Sequence, residues 1–257
     1  MHIIDTHAHL DARAFRHDLP DVLERARTAG VVRILCVGTD LASSRRCVEL
    51  ARRHPDLIRA AVGIHPTDWA ACSGDFAEVE RLAALPVVVA VGETGMDFHH
   101  DSTPPDAQAD GLRRHVDLAL ALDKPLIVHA RKSDERVLEV LEQAKGALRG
   151  VRHCFDGPAD VASRYLSLGL CVAVGAVVTR PGHKRLKAAV RDLPADCLMV
   201  ETDCPYQSPS SRVGTRNEPA FLPETLAALA AIRGESAKAL AESTTAVARR
   251  LFFPDMP

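Results

Sequence analysis

Short apolar segments recur along the chain and alternate with longer amphipathic ones. Each has four to seven residues, is rich in Val, Ile and Leu, and ends in or is directly followed by a glycine or a polar residue. Continuous apolar strands of this length are typical of a parallel sheet that is buried on both faces. The eight segments are HIID (2–5), RILCVG (33–38), RAAVGI (59–64), VVVAVGE (87–93), PLIVHA (125–130), VRHCF (151–155), LCVAVG (170–175) and LMVETD (198–203).

The segments between them have the periodicity of helices, for example 18–30, 106–124, 133–146, 222–234 and 236–252. Gly30 and Gly146 are placed to end helices, and Ser133 is placed to begin one. Eight strands alternating with helices predict an α/β fold, a single (β/α)8 TIM barrel over residues 1–257. An open, doubly wound sheet is the competing architecture.

Composition narrows the function classes. The 257 residues are 47% hydrophobic and 26% charged, as in ordinary globular proteins, and the net charge of −2 argues against DNA wrapping. A local pocket that binds one phosphate remains compatible with that charge. No signal peptide or membrane-spanning segment is expected, and the seven cysteines form no CxxC pair. Reduced thiols and a cytoplasmic location are therefore predicted, with no membrane contact and no obligatory protein partner.

Polar side chains follow the predicted strands at their carboxyl ends, where barrel enzymes have their active sites. Each alone has an ordinary structural explanation, such as a core imidazole, a helix cap or a turn residue. Their joint occurrence at the same end of six strands is what indicates a functional site. These residues are His7, His9, His65, Glu93, His129, His153 and Asp203.

The residue types suit a centre with two cations, which lie about 3.5–4 Å apart in two-metal sites. His7, His9 and Asp203 can bind one ion and His129 and His153 the other, with Glu93 between them. Water activated by the ions would attack an ester or phosphodiester, and Asp203 would accept its proton. The histidines favour Zn²⁺, Mn²⁺ or Co²⁺ over Mg²⁺.

Several motifs carry a family resemblance. The sequence resembles the TatD family of metal-dependent hydrolases and deoxyribonucleases, within the amidohydrolase-like barrel superfamily. The motifs occur in the family's order over essentially the whole chain. They are IDTHAHLD (4–11), VGIHP (62–66), VGETGMDF (91–98), PLIVHAR (125–131), HCFDG (153–157), ETDCPY (201–206) and RNEPAFL (216–222).

The resemblance implies a deoxyribonuclease with two divalent ions, Mg²⁺ or Mn²⁺, acting on DNA or a short oligonucleotide. It implies that His7, His9, Glu93 and Asp203 hold the first ion. Glu93, His129 and His153 would hold the second, with Glu93 and Asp203 as catalytic residues. The resemblance also implies that His65 contacts the substrate phosphate. Arg216 could assist at the phosphate or could instead form an ion pair with Glu218.

The sequence departs from the family's pattern at the predicted mouth of the barrel. Asp156 stands where Ser or Thr is frequent, and Lys132 where Asp is frequent. His99 and His100 follow Phe98 where an aromatic residue and then Arg or Lys are often found, and they would add charge only below about pH 6.5. Aromatic residues for base stacking are scarce, and Trp69 is the one candidate.

Two other functions remain open. The same activated water could hydrolyse a carboxyl ester, a lactone or an aminoacyl-tRNA ester, although Glu93 at the end of strand four favours the nuclease branch over relatives with a modified lysine there. The barrel could also be a non-catalytic metal or interaction protein, but no expected ligand is missing. The other histidines, including His115, are expected to be solvated, and Cys154 to face away from the pocket.

Overall fold

The structure is a computed structural model, and it describes residues 1–254. The strands are β1 Ile3–Ala8, β2 Val31–Val37, β3 Ile58–Val62, β4 Val88–Asp97, β5 Leu126–Arg131, β6 Gly150–Arg152, β7 Leu170–Val174 and β8 Leu198–Val200. The helices are α1 Leu19–Thr28, α2 Leu41–Arg53, α3 Trp69–Cys72, α4 Phe76–Ala83, α5 Pro105–Ala121, α6 Asp134–Leu141, α7 Ala159–Ser167, α8 Lys184–Asp192, α9 Leu222–Arg233 and α10 Ala237–Phe252. Within residues 1–254, no helix has the length and apolar character needed to cross a membrane.

The eight strands form one sheet in the order β1 to β8, and helices alternate with them. This arrangement confirms the predicted (β/α)8 barrel and excludes the open doubly wound sheet, in which the strand order reverses. All eight predicted strands are present, with different ends. β4 extends to Asp97, because Thr94–Asp97 pair with Val128–Arg131 of β5.

One predicted helix end is wrong. α6 ends at Leu141, five residues before Gly146, so Gly146 does not cap it. Gly30 behaves as expected, because it follows the end of α1 with φ +88°. Ser133 precedes α6 as predicted, but its hydroxyl donates to the carbonyl of Met96 (2.6 Å) rather than capping the helix, and so ties the start of α6 to β4.

The chain divides into two compact units. One contains residues 1–35, 154–163 and 171–254, and the other contains residues 36–153 and 164–170. We refer to them as unit 1 and unit 2. His7, His9, Asp203 and Arg216 belong to unit 1, whereas His65, Glu93, His129 and His153 belong to unit 2.

In unit 2, a buried arginine fixes the strand that precedes His153. Arg152 is 1% exposed, and its guanidinium donates to Asp134 (3.0 Å) and to the carbonyl of Ala130 (2.6 Å). The hydroxyl of Tyr165 donates to the same Asp134 oxygen (2.9 Å). A buried charge is tolerated when it is paired and hydrogen-bonded in this way. The three residues join β6 to α6 and α7 and thereby set the position of His153.

Close approach of β4 to β5 requires a glycine at position 95. Gly95 pairs with His129 in the parallel register and has φ +142°, a conformation that residues with a Cβ rarely adopt. A Cβ at this position would clash with the carbonyl oxygen of His129. The glycine therefore allows the two strands that carry Glu93 and His129 to lie side by side.

We predict that Gly95→Ala lowers the free energy of unfolding by about 3 kcal/mol or more, because both the backbone conformation and the contact with His129 become strained. Gly74→Ala is the matched control, since a Cβ there meets nothing within 4 Å. It should change stability by no more than about 0.5 kcal/mol. Urea unfolding of the two variants measures the difference, and equal stabilities would contradict the proposed strain.

Candidate metal centre

In unit 1, two imidazoles and one carboxylate converge. His7 lies in β1 and His9 directly after it, and their Nε2 atoms are 3.2 Å apart. Oδ1 of Asp203 lies 3.4 Å from Nε2 of His9 and 4.0 Å from Nε2 of His7. The backbone explains this convergence: the Asp203 N–H donates to the His7 carbonyl (2.9 Å), and the His9 N–H donates to the Cys204 carbonyl (2.8 Å). The segment after β8 thus runs beside β1.

Asp5 supports this arrangement from within the core. Its carboxylate accepts hydrogen bonds from the Thr202 N–H (2.9 Å) and hydroxyl (2.6 Å) and from the His7 N–H (3.3 Å). Burial raises the pKa of Asp5 to about 7, against the lowering effect of the hydrogen bonds from Thr202 and His7. Asp5 therefore links β1 to the segment that carries Asp203, and it is a positioning residue.

Gln207 orients the Asp203 carboxylate, and the sequence reasoning did not identify it. Its side-chain amide donates to Oδ2 of Asp203 (2.7 Å), which is the oxygen not directed at His9. The same amide lies 2.9 Å from the Cys154 sulfur. Cys154 is not in a strand and has φ +46°, so the expectation that strand alternation turns it away is wrong. The only available sequence signal was the position of Gln207 four residues after Asp203.

In unit 2, Glu93, His129 and His153 form a second convergent group. Oε1 of Glu93 lies 2.9 Å from Nδ1 of His129 and 2.8 Å from Nε2 of His153. The two imidazole nitrogens are 3.2 Å apart. Glu93 and His153 are each 3% exposed, so these polar atoms are largely removed from solvent. The three ligand atoms lie close enough together to bind one metal ion.

Asp97 fixes the orientation of His129. Its Oδ2 lies 3.2 Å from Nε2 of His129 and 3.0 Å from Nδ1 of His100, and its Oδ1 accepts from the His99 N–H (2.8 Å). Burial alone would raise the pKa of Asp97, but the hydrogen bonds from His129, His100 and His99 outweigh it and hold the pKa well below its usual range. An ionised Asp97 accepts a hydrogen bond from the Nε2–H of His129, and in the neutral imidazole this tautomer directs the Nδ1 lone pair towards Glu93.

These arrangements fit a divalent cation in each unit. A lone pair that faces a carboxylate oxygen at 2.9 Å is repulsive unless a cation or proton lies between the two atoms. Imidazole and carboxylate donors at such separations are the usual ligand set for zinc, manganese and cobalt. A carboxylate behind a ligand histidine, as Asp97 stands behind His129, is the typical support of a metal-bound imidazole.

His65 lies next to the unit 2 group. Its Nε2 is 3.7 Å from Oε1 of Glu93, and its ring centroid is 4.5 Å from that of His129. The Thr67 N–H donates to its Nδ1 (3.3 Å), which places the ring proton on Nε2. Burial, with His129 nearby, lowers the pKa of His65 to about 3. At neutral pH it is therefore an uncharged hydrogen-bond donor.

Arg216 is occupied by ion pairs. Its guanidinium donates two hydrogen bonds to Asp18 (2.8 and 2.6 Å) and lies 3.7 Å from Glu218. It also stacks on the Phe15 ring, 4.6 Å from the centroid, and lowers the pKa of Asp18. The ion pair with Glu218 that the sequence left open is thus present. A role at the phosphate remains a prediction for this residue.

Two expectations about ring residues are wrong. Trp69 is 3% exposed and packs edge-on against Phe76 and His115, so it offers no exposed face to a base. His115 is buried rather than solvated: its Nδ1 donates to the Gly111 carbonyl (2.7 Å), and its Nε2 accepts from the Ile64 N–H (3.0 Å). A histidine within a helical pattern gives no sequence signal that distinguishes these two environments. His115 supports the segment that carries His65.

The charge expected of His99 is also revised. The positive charge of Arg131 lowers the pKa of this exposed histidine. Slight desolvation of the ring and the charge of Lys132 act in the same direction. Asp97 opposes them with a smaller effect. His99 therefore gains its charge at a lower pH than the sequence suggests.

Imidazole and carboxylate groups at the carboxyl ends of parallel barrel strands are typical of metal-dependent hydrolases with a barrel fold. Comparison with known proteins identifies the family. Residues 4–253 match the family model for TatD-related DNases. The chain belongs to this family, which confirms the resemblance seen in the motifs.

Individual relatives agree over nearly their whole length. The chain is 37% identical to the metal-dependent hydrolase YabD of Bacillus subtilis, covering 97% of this chain and 98% of the relative. It is 35% identical to the 3′-5′ ssDNA/RNA exonuclease TatD of Erwinia tasmaniensis, covering 97% and 99%. The crystal structure of YjjV, a TatD homologue from Escherichia coli, has a TM-score of 0.93 and 30% identity, covering 99% and 98% of the two chains.

We predict that Asp97→Asn weakens metal binding at the His129 group by about 10–100-fold, because the ring loses the carboxylate that orients it. Calorimetric titration of chelator-stripped protein with Mn²⁺ and Zn²⁺ measures this effect without reference to turnover. Asp101→Asn is the control, since Asp101 is exposed in the following loop. Equal affinities in both variants and the unmodified protein would exclude a supporting role for Asp97.

We also predict that His115 makes stability depend on pH. Burial lowers its pKa to about 4 from 6.5, so the unfolded chain binds a proton between these values and the folded chain does not. Above pH 6.5 His115 is neutral in both states and does not affect the free energy of unfolding. As the pH falls from 6.5 through 4, protonation of the unfolded chain lowers the free energy of unfolding by about 3 kcal/mol. Urea unfolding of the protein and of His115→Gln from pH 7 to 4 measures it, and parallel curves would contradict the prediction.

Proposed function

We propose that the protein is a divalent-metal-dependent phosphodiesterase that removes nucleotides from single-stranded nucleic acid. Two groups of histidine and carboxylate side chains at strand ends carry this proposal, because the chain belongs to the TatD-related DNase family. Relatives named as 3′-5′ ssDNA/RNA exonucleases, 35–37% identical over 95–97% of this chain, support the same reaction. A cytoplasmic location remains the expectation from the reduced cysteines.

The proposal assigns the ligands by unit. His7, His9 and Asp203 would hold one cation, and Glu93, His129 and His153 would hold another; the shared role that the resemblance gives Glu93 stays a prediction. Mg²⁺ or Mn²⁺ is implied by the family, and Zn²⁺ suits the histidine-rich donor set. When bound, such cations lower the pKa of water towards neutrality and offset the charge of a phosphodiester.

The chain's own groups have distinct tasks in this reaction. Asp203 would accept the proton of the attacking water, and the hydrogen bond from Gln207 to its Oδ2 leaves Oδ1 directed towards the histidines. His65 would donate its Nε2–H to a phosphate oxygen. Its proton is held on that nitrogen because Nδ1 accepts from the Thr67 N–H. Arg216 could join the phosphate only if its hydrogen bonds to Asp18 were exchanged.

The direct test is hydrolysis of an end-labelled single-stranded DNA by chelator-stripped protein resupplied with Mg²⁺, Mn²⁺ or Zn²⁺. Stepwise shortening that requires added metal is expected, and the most effective ion identifies the working metal. Absence of cleavage with every ion, in protein shown to rebind metal, would contradict the proposal. A carboxyl ester and an aminoacyl-tRNA ester assayed under the same conditions would then distinguish ester hydrolysis from a non-catalytic protein.

We predict that Asp203→Asn retains the fold and lowers DNA hydrolysis by about 10²-fold or more, the scale expected for loss of a catalytic base. Asp110→Asn, an exposed position on α5, is the matched control and should leave the rate unchanged. Rates are compared at saturating metal so that weaker metal binding does not account for the loss. Turnover by the Asp203 variant at the rate of the unmodified protein would remove Asp203 from the mechanism.

A further inference from the structure

An exposed aromatic ring follows the strand that carries Glu93. Among residues 1–254, the exposed Phe, Tyr and Trp side chains are those of Phe98 and Tyr206. Phe98 lies directly after β4 in unit 2 and is 36% exposed. Phenylalanine is usually buried, and this ring is instead accessible directly after the strand that carries Glu93. Nucleic-acid bases stack on such rings with little sequence preference.

Two permanent cations lie next to Phe98. Arg131 ends β5 and Lys132 follows it, and both are exposed. Within residues 1–254, neither side chain has a carboxylate within 4.0 Å. The nearby Asp134 is engaged with Arg152 and Tyr165 and does not pair with them. This pair of cations is therefore available to an anion from outside.

Backbone geometry brings these residues together. The Phe98 N–H donates to the Arg131 carbonyl (2.9 Å), and Arg131 pairs with Asp97 in the β4–β5 register. Lys132 has φ +58°, which turns the chain immediately after the strand. Arg131 and Lys132 also lower the pKa of His99, as expected for charges close to the residue that follows Phe98.

Arg131 ends the strand that carries His129, and Phe98 and Lys132 directly follow the ends of β4 and β5. Arg131 is two residues after His129, so it lies on the same face of β5. Its register partner, Asp97, contacts His129 through Oδ2 (3.2 Å). A strand bound at Arg131 would thus lie close to the candidate metal centre of unit 2. A cation at the end of the strand that carries His129 suits an enzyme that must hold the substrate strand near the phosphate it cleaves.

We infer that Phe98, Arg131 and Lys132 form a binding surface for single-stranded nucleic acid, which we term the β4–β5 surface. The ring stacks on a base, and the two cations contact phosphates next to the one that is cleaved. This inference rests on the proposed function and names where the substrate strand binds. Lys132, which stands where the family often has Asp, makes the surface more basic in this chain.

Fluorescence anisotropy with a labelled 12-nucleotide single-stranded DNA, in chelator without turnover, tests this surface. Arg131→Ala with Lys132→Ala should weaken binding about tenfold at low salt. It should also reduce the slope of log affinity against log salt concentration by about 0.7 per cation removed. Phe98→Leu should weaken binding at least about fivefold, and Phe98→Trp should restore it, because only the aromatic residue stacks.

Lys145→Ala is the matched control for charge. Lys145 is exposed in unit 2 but lies in the loop between α6 and β6, at the opposite end of the strands from the candidate centre. It should change neither the affinity nor the salt slope. Variants of the β4–β5 surface that bind DNA like Lys145→Ala would overturn the inference.

Kinetics separate this inference from the proposed function. With added metal, the surface variants should raise KM for the 12-nucleotide DNA while hydrolysing bis(p-nitrophenyl) phosphate at the normal rate, since that compound has no flanking nucleotides. A normal KM for the DNA would reject the surface and leave the phosphodiesterase proposal intact. If the unmodified protein hydrolyses neither substrate, the proposed function fails, whereas the anisotropy result still decides whether the surface binds DNA.

Discussion

The pairing of β4 with β5 is the constraint on which unit 2 depends. Gly95 lies opposite His129 because no side chain could fit there, and this register brings Glu93, Asp97 and His129 together. Shifting one strand by a single residue would turn these side chains to the other face of the sheet. A backbone requirement at one glycine therefore determines the positions of several groups that bear charge.

Buried carboxylates complete the positioning in both units. Asp97 holds the His129 ring from behind, and Asp5 joins β1 to Thr202, the residue before Asp203. Burying such groups is unfavourable unless hydrogen bonds compensate, so each is satisfied by two or more donors. In each unit, the candidate ligands are held in place by the buried carboxylate behind them as well as by the strands that carry them.

The fold and the family could be predicted because the sequence patterns that indicate them are distributed along the whole chain. Eight apolar segments and their order define the barrel, and the strand-end motifs identify the family. Residues such as His7, His9 and His129 could be proposed as ligands because the apolar segments show where each strand ends, and these histidines lie at those ends. That a single domain spans residues 1–257 stays a prediction.

The supporting residues could not be predicted, because tertiary contacts set their side-chain directions. Gln207 lies in a turn after β8, where no periodicity indicates that its amide contacts Asp203. The side chains of Trp69 and His115 each combine an apolar ring with a polar N–H group, so they are compatible with either the surface or the core. The packing of α3, α4 and α5 against one another buries both. Arg216 illustrates the same limit: its partner Asp18 is nearly two hundred residues away in the sequence.

The position of Phe98 and Lys132 just beyond the ends of β4 and β5 has an evolutionary consequence. Neither residue contributes a side chain to the core, and neither belongs to the groups that converge in the candidate centre. If the β4–β5 surface binds the substrate strand as inferred, descendants of this gene could exchange these residues, and with them the preferred polymer, without altering the candidate metal ligands. Substrate range and hydrolytic chemistry would then change independently, although the residues responsible for each lie only a few positions apart in the sequence.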